Sequence, residues 1–287
     1  MIATKTLASL NNAITANLGD AFRTHLGASV VGSVCSRVGF YDFYWAAEDS
    51  REDLENLARL NRLWRRGDNE EEKAIEYLLA AGVEGVFIDP ETEEQFLFSE
   101  YGGHYGGQTD GILWNVPDMP DVEMIFECKT HNKTNFNQLV KKGLQNYSTK
   151  YYNQCQIYME KFGLKYCLHY NACKDDDRLH IEIVEFDPNV ANRNNLVAEN
   201  IITGARAPSR ISDKPDYYVC NLCVRYKGVC KGGQEISRNC RTCEHIEVLA
   251  ETGHWRCSEP MMRGIKKKSD QLAGCKQYRL NKERFEV

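Results

Sequence analysis

The chain has 287 residues, of which 42% are hydrophobic and 27% are charged. This composition supports a large packed core and excludes an intrinsically disordered polymer. No apolar run approaches the roughly 18 residues that a membrane-spanning helix needs, so the sequence also excludes a membrane protein. Residues 1–26 contain no compact apolar block, and we therefore expect no signal peptide and a cytoplasmic location.

Charge is divided unevenly along the chain. The net charge is −5, but residues 205–287 carry 17 basic and 10 acidic side chains, so the first 204 residues have a balance of −12. A basic C-terminal part on an acidic body suggests that one end contacts a polyanion. A solvated surface with an uneven charge distribution accounts for the same numbers.

In chain order, apolar residues spaced by three and four predict helices over residues 5–18, 53–64 and 68–81. The last of these has Asn69 to Glu72 in its opening turn, where acidic side chains suit the helix dipole. Short segments rich in Val, Ile, Phe or Leu then predict strands over residues 84–88, 95–99, 109–114 and 124–129. Helices over 136–147 and 150–162, strands over 165–171 and 179–186, and a helix over 189–203 follow. This order predicts a mixed α/β domain with a central sheet.

Two of the predicted strands carry the most informative chemistry. Asp110 begins one of them in Gly-Gly-Gln-Thr-Asp-Gly-Ile, and Glu127 and Lys129 end the other in Ile-Phe-Glu-Cys-Lys. Residues two apart on a strand share a face, so Glu127 and Lys129 project together while Cys128 points into the core. If the two strands pair, Asp110 joins them. Such a cluster suits Mg²⁺ or Mn²⁺ with room left for water and phosphate, although Glu-x-Lys is also common on exposed strand faces.

Two more elements flank this cluster. Gly67-Asp68-Asn69-Glu70-Glu71 lies upstream, and Gln154-Cys155-Gln156-Ile157-Tyr158 lies downstream. Together with the cluster they resemble the PD-(D/E)XK nuclease superfamily, in the RecB-like branch that includes lambda exonuclease and the CRISPR-associated iron–sulfur nucleases. The resemblance covers roughly residues 26–230. It implies a restriction-endonuclease-like core, in which a central mixed sheet is flanked by helices.

The resemblance also implies roles for individual residues. The ligands of one or two Mg²⁺ or Mn²⁺ ions would be Glu71, Asp110, Glu127 and the backbone carbonyl of Cys128. Lys129 would assist the attacking water, and Gln154 and Tyr158 would line the active site and position the substrate. Glu71 stands where many iron–sulfur members have histidine, and Asp68 and Glu70 are alternatives to it. Tyr158 also fits a core aromatic, and His104 fits a structural histidine better than a site residue.

Twelve cysteines are many for a cytoplasmic protein, and seven of them lie within 56 residues. In a reducing compartment this clustering indicates metal ligation rather than disulfides. Cys220, Cys223 and Cys230 supply three ligands of a first set, for which Cys240 is the nearest fourth in the sequence. In the iron–sulfur nucleases the fourth ligand comes from an upstream Cys-x-Arg segment, which Cys35-Ser36-Arg37 resembles. The resemblance therefore implies a 4Fe–4S cluster on Cys35, Cys220, Cys223 and Cys230, and zinc would also satisfy four thiolates.

The remaining cysteines form a second set. Cys240, Cys243, Cys257 and Cys275 have the spacing of a closed tetrahedral zinc site, with His245 and His254 as possible substitutes. The basic residues of this segment are Arg256, Arg263, Lys266, Lys267 and Lys268. They suit a DNA-contacting module, and a structural or protein-binding zinc module is an equal alternative.

The sequence thus predicts an N-terminal helical region over residues 1–65, a nuclease core over 66–204, a cluster-binding segment over 205–235 and a zinc module over 236–287. The expected function is a metal-dependent DNA nuclease, most simply an exonuclease that acts on DNA ends or single strands in recombination or DNA processing. Lys133, Lys141 and Lys142 would hold the DNA backbone. A homo-oligomer and a recombination or replication partner are further expectations, and the resemblance suggests a bacteriophage or mobile-element origin. The alternatives are a catalytically silent nucleic-acid- or partner-binding protein and, more weakly, a redox sensor.

Overall fold

Helices dominate the first third of the chain, as the apolar spacing predicts. The computed structural model describes residues 3–16, 18–20, 22–48, 53–214, 216–223 and 225–286. The first predicted helix extends to residue 18, but the observed one ends at Thr15, and residue 17 lies outside the described residues. The elements of this part are α1 (Thr4–Thr15), β1 (Leu26–Gly27), α2 (Ala28–Val31), α3 (Ser36–Phe43) and α4 (Leu54–Ala80).

The prediction of two separate helices over residues 53–64 and 68–81 is wrong, because α4 is one helix of 27 residues. Asp53 caps its start by accepting a hydrogen bond from the backbone N–H of Asn56 at 2.9 Å. Gly67 does not end the helix, since a glycine in a helix interior costs only about 1 kcal/mol and α4 packs against α1 and the central sheet. Glu71 therefore lies in the middle of a long helix rather than in an opening turn.

The predicted strands and the later helices form at the expected places. Their observed bounds are β2 (Glu84–Val86), β3 (Leu97–Glu100), β4 (Tyr105–Gln108), β5 (Gly111–Trp114), β6 (Met124–His131), α5 (Lys133–Lys142), α6 (Leu144–Tyr147), α7 (Thr149–Phe162), β7 (Tyr166–Cys173), β8 (Leu179–Glu185) and α8 (Pro188–Thr203). The single helix predicted over residues 136–147 is wrong, because Gly143 adopts a positive φ of 71° and separates α5 from α6.

The central sheet has the strand order β2-β5-β6-β7-β8. Strands β5 and β6 are antiparallel, with Gly111 opposite Phe126. Strands β6 and β7 are parallel, with Glu127 opposite His169. The mixed sheet flanked by helices confirms the predicted α/β class. The antiparallel pairing brings Asp110, just before β5, to the middle of β6.

Strand β4 was not predicted. Its sequence, Tyr-Gly-Gly-Gln, lacks apolar alternation, yet it pairs with β3 and with β1 in a small second sheet of order β1-β4-β3. Gly107 is needed there for close packing, since a Cβ atom at this position would lie 2.9 Å from the Phe98 ring and 3.0 Å from the Tyr158 ring. The small sheet thus lies directly against the ring of Tyr158.

Apolar side chains cover both faces of the central sheet. On one face, Leu78 of α4 packs with Phe126 and Cys128 of β6, so Cys128 points into the core as predicted. On the other face, Ile125 packs with Cys155 and Ile157 of α7. The sheet is therefore a middle layer between α4 and α7, which fixes the ends of its strands.

The C-terminal part adds short elements and a third sheet of order β11-β10-β9. Its elements are α9 (Tyr218–Leu222), α10 (Lys227–Lys231), β9 (Ile246–Leu249), β10 (His254–Cys257), β11 (Gly264–Ile265), α11 (Lys268–Ala273) and α12 (Lys282–Phe285). Trp255 and Phe285 belong to the same core as Phe40 and Tyr44 of the N-terminal part. The predicted domain boundaries stay predictions. Within the described residues, no helix is long and apolar enough to cross a membrane.

Candidate functional site

The pairing of β5 and β6 positions the first carboxylate. Asp110 follows Thr109, whose hydroxyl donates to the backbone carbonyl of Phe126 at 3.1 Å. Asp110 Oδ2 accepts a hydrogen bond from the backbone N–H of Cys128 at 2.8 Å. The structure therefore brings Asp110 next to the Glu-Cys-Lys segment, which the sequence predicted only on the condition that the strands pair.

Glu127 and Lys129 form an ion pair at this point. The Lys129 Nζ atom donates to Glu127 Oε1 and, at 3.0 Å, to the carbonyl oxygen of Cys128. The Glu127 side chain is only 1% exposed, whereas that of Lys129 is 23% exposed. Glu127 Oε2 is buried and has no hydrogen-bond partner in the structure. A buried carboxylate oxygen without a partner is costly, and either a proton or a bound cation would remove this cost.

Burial determines the protonation of this pair. It raises the pKa of Glu127, against the opposing attraction of Lys129. Burial also disfavours the charged form of Lys129, but the carboxylates of Glu127 and Asp110 outweigh it and raise the pKa of the ammonium well above its usual value. Lys129 therefore keeps its proton at neutral pH and is a cation at the site.

Glu71 reaches the cluster from α4. Its Oε1 atom accepts a hydrogen bond from Gln95 Nε2 at 3.2 Å. Burial, and next the Asp110 carboxylate, raise the pKa of Glu71 to about 7, which Lys129 partly opposes. Of the two alternatives to Glu71, Asp68 is exposed. Glu70 adds to the effect of burial in raising the pKa of the Cys128 thiol, which faces the core. Among these three acidic residues, the pKa of Glu71 depends on both Asp110 and Lys129.

Gln154 and Tyr158 lie four residues apart on α7 and therefore on one face of it. Gln154 Nε2 donates to Glu127 Oε1 at 2.9 Å and lies 3.3 Å from the Tyr158 hydroxyl. The helix starts at Ser148, whose hydroxyl accepts from the Tyr151 N–H at 3.3 Å. The observed contacts of Gln154 orient the carboxylate of Glu127.

The donor chemistry of the three carboxylates fits a divalent cation. Burial and, less strongly, the Asp110 carboxylate raise the pKa of both Glu71 and Glu127, and Glu127 Oε2 is unpartnered. Among the residues that the structure describes, however, no group of three or more His, Cys, Asp or Glu side chains is arranged so that it could hold a metal ion as it stands.

The first cysteine set comes together around a cavity of about 530 Å³, which all four of its members line: Cys35, Cys220, Cys223 and Cys230. Burial raises the pKa of Cys223, and the other three thiols add to this effect. Arg37 of the Cys-x-Arg segment is buried and pairs with Glu286, and its Nη1 donates to the Tyr41 hydroxyl at 2.9 Å. The upstream segment and the later cysteines thus meet in space, although they are 185 positions apart in the sequence.

The second cysteine set also converges. A small cavity beside β10 is lined by Cys240, Cys243, Cys257 and Cys275. Burial, followed by the other three thiols, raises the pKa of Cys240 to about 11. His245 lines the same cavity, whereas the Nδ1 atom of His254 lies 2.6 Å from the Thr252 carbonyl oxygen. Both sets are free cysteines, neither is arranged as a metal site within the described residues, and their metals stay predictions.

Other predicted residues lie away from the cluster or have structural surroundings. His104 is 1% exposed, and its ring packs edge-on against Phe43 and Trp255, which confirms the structural interpretation. Lys133 lies on α5 and pairs with Asp176 at 3.4 Å. The DNA-contacting role of the α5 lysines stays a prediction.

Two residues of the site were missed by the sequence reasoning. His169 on β7 lies opposite Glu127 and is fully buried, and both of its ring nitrogens lack a hydrogen-bond partner. Gln95, the partner of Glu71, precedes β3. Neither residue lies in a recognisable motif, and only the pairing of distant strands brings them to the site, so no local signal could have identified them.

No protein-family model matches the chain, and no curated protein matches it. Solved structures that resemble it include that of SSO0001, with 16% identity, a TM-score of 0.41, and coverage of 77% of this chain and 95% of that one. An alkaline exonuclease (LHK-Exo) from Laribacter hongkongensis has 18% identity and a TM-score of 0.39, with 63% of this chain and 87% of that chain covered. The same exonuclease in complex with dAMP has 15% identity, with the same TM-score and coverage. Scores this low do not establish a common fold.

Proposed function

We propose that this protein is a metal-dependent DNA nuclease that hydrolyses phosphodiester bonds, most simply as an exonuclease. The observation that carries the proposal is the buried Glu127–Lys129 pair beside Asp110. A fold gains no stability from a buried carboxylate with an unpartnered oxygen. Such an arrangement is typical of a site that binds a cation or a reacting group.

The residues that would hold Mg²⁺ or Mn²⁺ are Glu71, Asp110, Glu127 and the carbonyl of Cys128. When bound, the metal would polarise the scissile phosphodiester and lower the pKa of a water that attacks phosphorus. Gln154 donates to one oxygen of Glu127, and the other, Oε2, has no hydrogen-bond partner and would be the one that meets the metal. These different roles of the two oxygens of Glu127 explain why Gln154, which is 93% buried, lies next to this buried carboxylate.

Lys129 would stabilise negative charge on the substrate instead of binding the metal. Because its pKa is raised, its ammonium is protonated at neutral pH and does not act as a general base. It instead stabilises negative charge on the phosphate oxygens as the bond to the leaving oxygen breaks. The Lys129 side chain is 23% exposed, so a phosphate can approach it from the solvent side.

The cysteine sets would support this site structurally. Four thiols around one cavity suit a 4Fe–4S cluster or zinc in the first set, and the Cys-x-x-Cys spacing of the second suits zinc. In both cases the metal would connect segments that are distant in the sequence. Metal analysis of anaerobically purified protein, beside Cys240→Ser and Cys35→Ser, tests the content of each set separately.

The decisive experiment measures cleavage of end-labelled linear DNA and of circular DNA with Mg²⁺, Mn²⁺ or chelator. We expect Lys129→Ala to lower the rate by a factor of about 100 to 1,000, the usual effect of removing one preorganised charge or donor. Lys165→Ala removes an exposed lysine elsewhere and is the matched control. Cleavage of linear DNA alone indicates an exonuclease, and cleavage of circles indicates an endonuclease. Undiminished cleavage by Lys129→Ala contradicts the assignment, and DNA binding without cleavage in any metal supports the catalytically silent alternative.

A further inference from the structure

A second cavity, of about 690 Å³, is connected to the carboxylates by hydrogen bonds of two of its lining residues, Gln95 and Tyr158. Its walls are residues 22–25 and 27–29, Gln95, residues 97–99 of β3, Gly103, strand β4, Tyr158 of α7 and Lys268 at the start of α11. The volume is within the range of about 300–1,000 Å³ that is usual for small-ligand sites. The cavity is therefore large enough for one or two nucleotides.

The charge of this cavity is opposite to that of the chain. Among the described residues, those that line it include Arg23, His25 and Lys268 but neither aspartate nor glutamate, whereas the chain has a net charge of −5. Lys268 Nζ donates to Asp20 Oδ1 at 2.7 Å, so its charge is partly compensated. Arg23, which is exposed, is the main cation of the cavity.

Two of its walls continue directly to the carboxylates. Tyr158 lines the cavity, and Gln154 connects its hydroxyl to Glu127. Gln95 also lines the cavity and donates to Glu71. A ligand in the cavity would lie next to a phosphate at the carboxylates. The hydroxyl of Tyr105, another lining residue, is buried without a partner in the structure.

Arg241 of the C-terminal part holds two of the walls together. Its Nη2 atom donates to the carbonyl of Thr24, and its Nε atom donates to Gln271 of α11 at 2.7 Å. The guanidinium is 3.6 Å from the ring centre of Trp45 and 4.4 Å from that of Trp255. Because Thr24 adjoins Arg23, and Gln271 lies on the helix that starts at Lys268, one buried side chain fixes the spacing of the two cationic walls.

We propose that this cavity binds the nucleotide next to the scissile bond of single-stranded DNA, with Arg23 contacting its phosphate and Arg241 positioning the walls. The proposal rests on the proposed nuclease function. A basic groove with aromatic side chains is the usual way to bind a single strand without reading its sequence. The C-terminal part therefore completes the substrate cleft through Lys268 and Arg241.

Arg23→Gln tests the proposal, with Lys276→Gln as a control that removes an exposed charge in the C-terminal part outside the cavity. Binding of a fluorescent twelve-nucleotide thymidine strand is measured by anisotropy in chelator over a range of salt. We expect Arg23→Gln to weaken binding on the order of tenfold and to reduce the salt slope by about 0.7, the value for one lost phosphate contact in a single strand. Lys276→Gln should change neither quantity.

Cleavage then separates the two proposals. Bis(p-nitrophenyl) phosphate has a scissile phosphodiester but no flanking nucleotide, so Arg23→Gln should lower hydrolysis of the oligonucleotide about tenfold more than hydrolysis of this small ester. Equal losses on both substrates, unchanged binding of the single strand, or an equal loss of duplex binding would each overturn the subsite. Failure of the wild-type protein to hydrolyse either substrate with Mg²⁺ or Mn²⁺ refutes the nuclease function instead, and the binding measurement still decides whether the cavity takes a single strand.

Discussion

Glu71 is the carboxylate whose ionisation is changed by its position on α4, and the variant Glu71→Gln tests that change. Glutamine keeps the shape of the side chain and the oxygen that accepts from Gln95. It removes only the ionisable group whose pKa is raised to about 7 by burial and by Asp110. The change therefore isolates the electrostatic cost of this carboxylate in the metal-free protein.

The sign follows from proton linkage. The pKa of Glu71 is higher in the folded chain than its ordinary value of 4.5, so the folded state binds more protons between these two values. The stability that Glu71 contributes is full below about pH 4.5 and is lost as the pH rises to about 7. A fully shielded carboxyl with this shift would cost about 3 kcal/mol. Glu71 is partly exposed, so solvent screening reduces the expected cost to about 1.5 kcal/mol.

Urea unfolding in chelator at pH 5 and pH 8 measures this effect. Compared with wild type, Glu71→Gln should gain about 1.5 kcal/mol at pH 8 and nearly nothing at pH 5. Glu72→Gln, the exposed neighbour on the same helix, should show no such difference. Added Mn²⁺ should stabilise the wild type more than Glu71→Gln, because a ligand that binds only the folded state shifts unfolding by mass action. Equal pH dependence of Glu71→Gln and wild type would refute the electrostatic reasoning.

Two further predictions concern the fold. Burial lowers the pKa of His104 to about 4, so the contribution of His104 to stability should fall by about 1.4 kcal/mol per pH unit as the pH drops from 6.5 to 4. His104→Phe keeps an aromatic ring between Phe43 and Trp255 and should lose less stability than the wild type over this range in acid unfolding curves; an equal loss in both proteins would contradict it. Gly67→Ala should raise the free energy of unfolding by about 0.5–1 kcal/mol, because α4 is continuous and a Cβ atom at this position meets nothing within 4 Å. A loss of stability in urea unfolding would instead favour the two separate helices that the sequence predicted.

The sequence predicted the central sheet well because its strands are short apolar runs separated by turns. The carboxylate cluster was accessible for the same reason: Glu127 and Lys129 are two apart on one strand, and only the pairing of that strand with the one after Asp110 remained to be observed. Strand β4 was missed because Tyr-Gly-Gly-Gln carries no apolar alternation, and its pairing depends on backbone contacts with β3 and β1. Two helices were predicted where α4 is continuous, since tertiary packing of α4 exceeds the cost of the one glycine, Gly67, between the predicted ranges.

The contacts of the site were less predictable than its acidic residues. Gln154 belongs to a recognisable element, but its hydrogen bond to Glu127 depends on the packing of α7 against β6. Gln95 and His169 reach the site from strands or loops with no motif of their own. The burial of Arg241 was even harder to predict. This charged side chain is 1% exposed and has no acidic partner among its hydrogen bonds. Aromatic rings and carbonyl groups take the place of a counter-ion.

The two cysteine sets are connected to the site through short chains of contacts. Gly32, three residues before Cys35, packs so tightly on α7 that a Cβ atom would lie 2.9 Å from the carbonyl oxygen of Lys150. Asn153 donates to the Gly32 carbonyl at 3.1 Å and directly precedes Gln154. In the second set, Cys240 directly precedes Arg241, which holds the walls of the cavity. Whatever each set binds, fixing its thiols restrains either the helix that orients Glu127 or the arginine that spaces the cationic walls, so the geometry of the cleft depends on both.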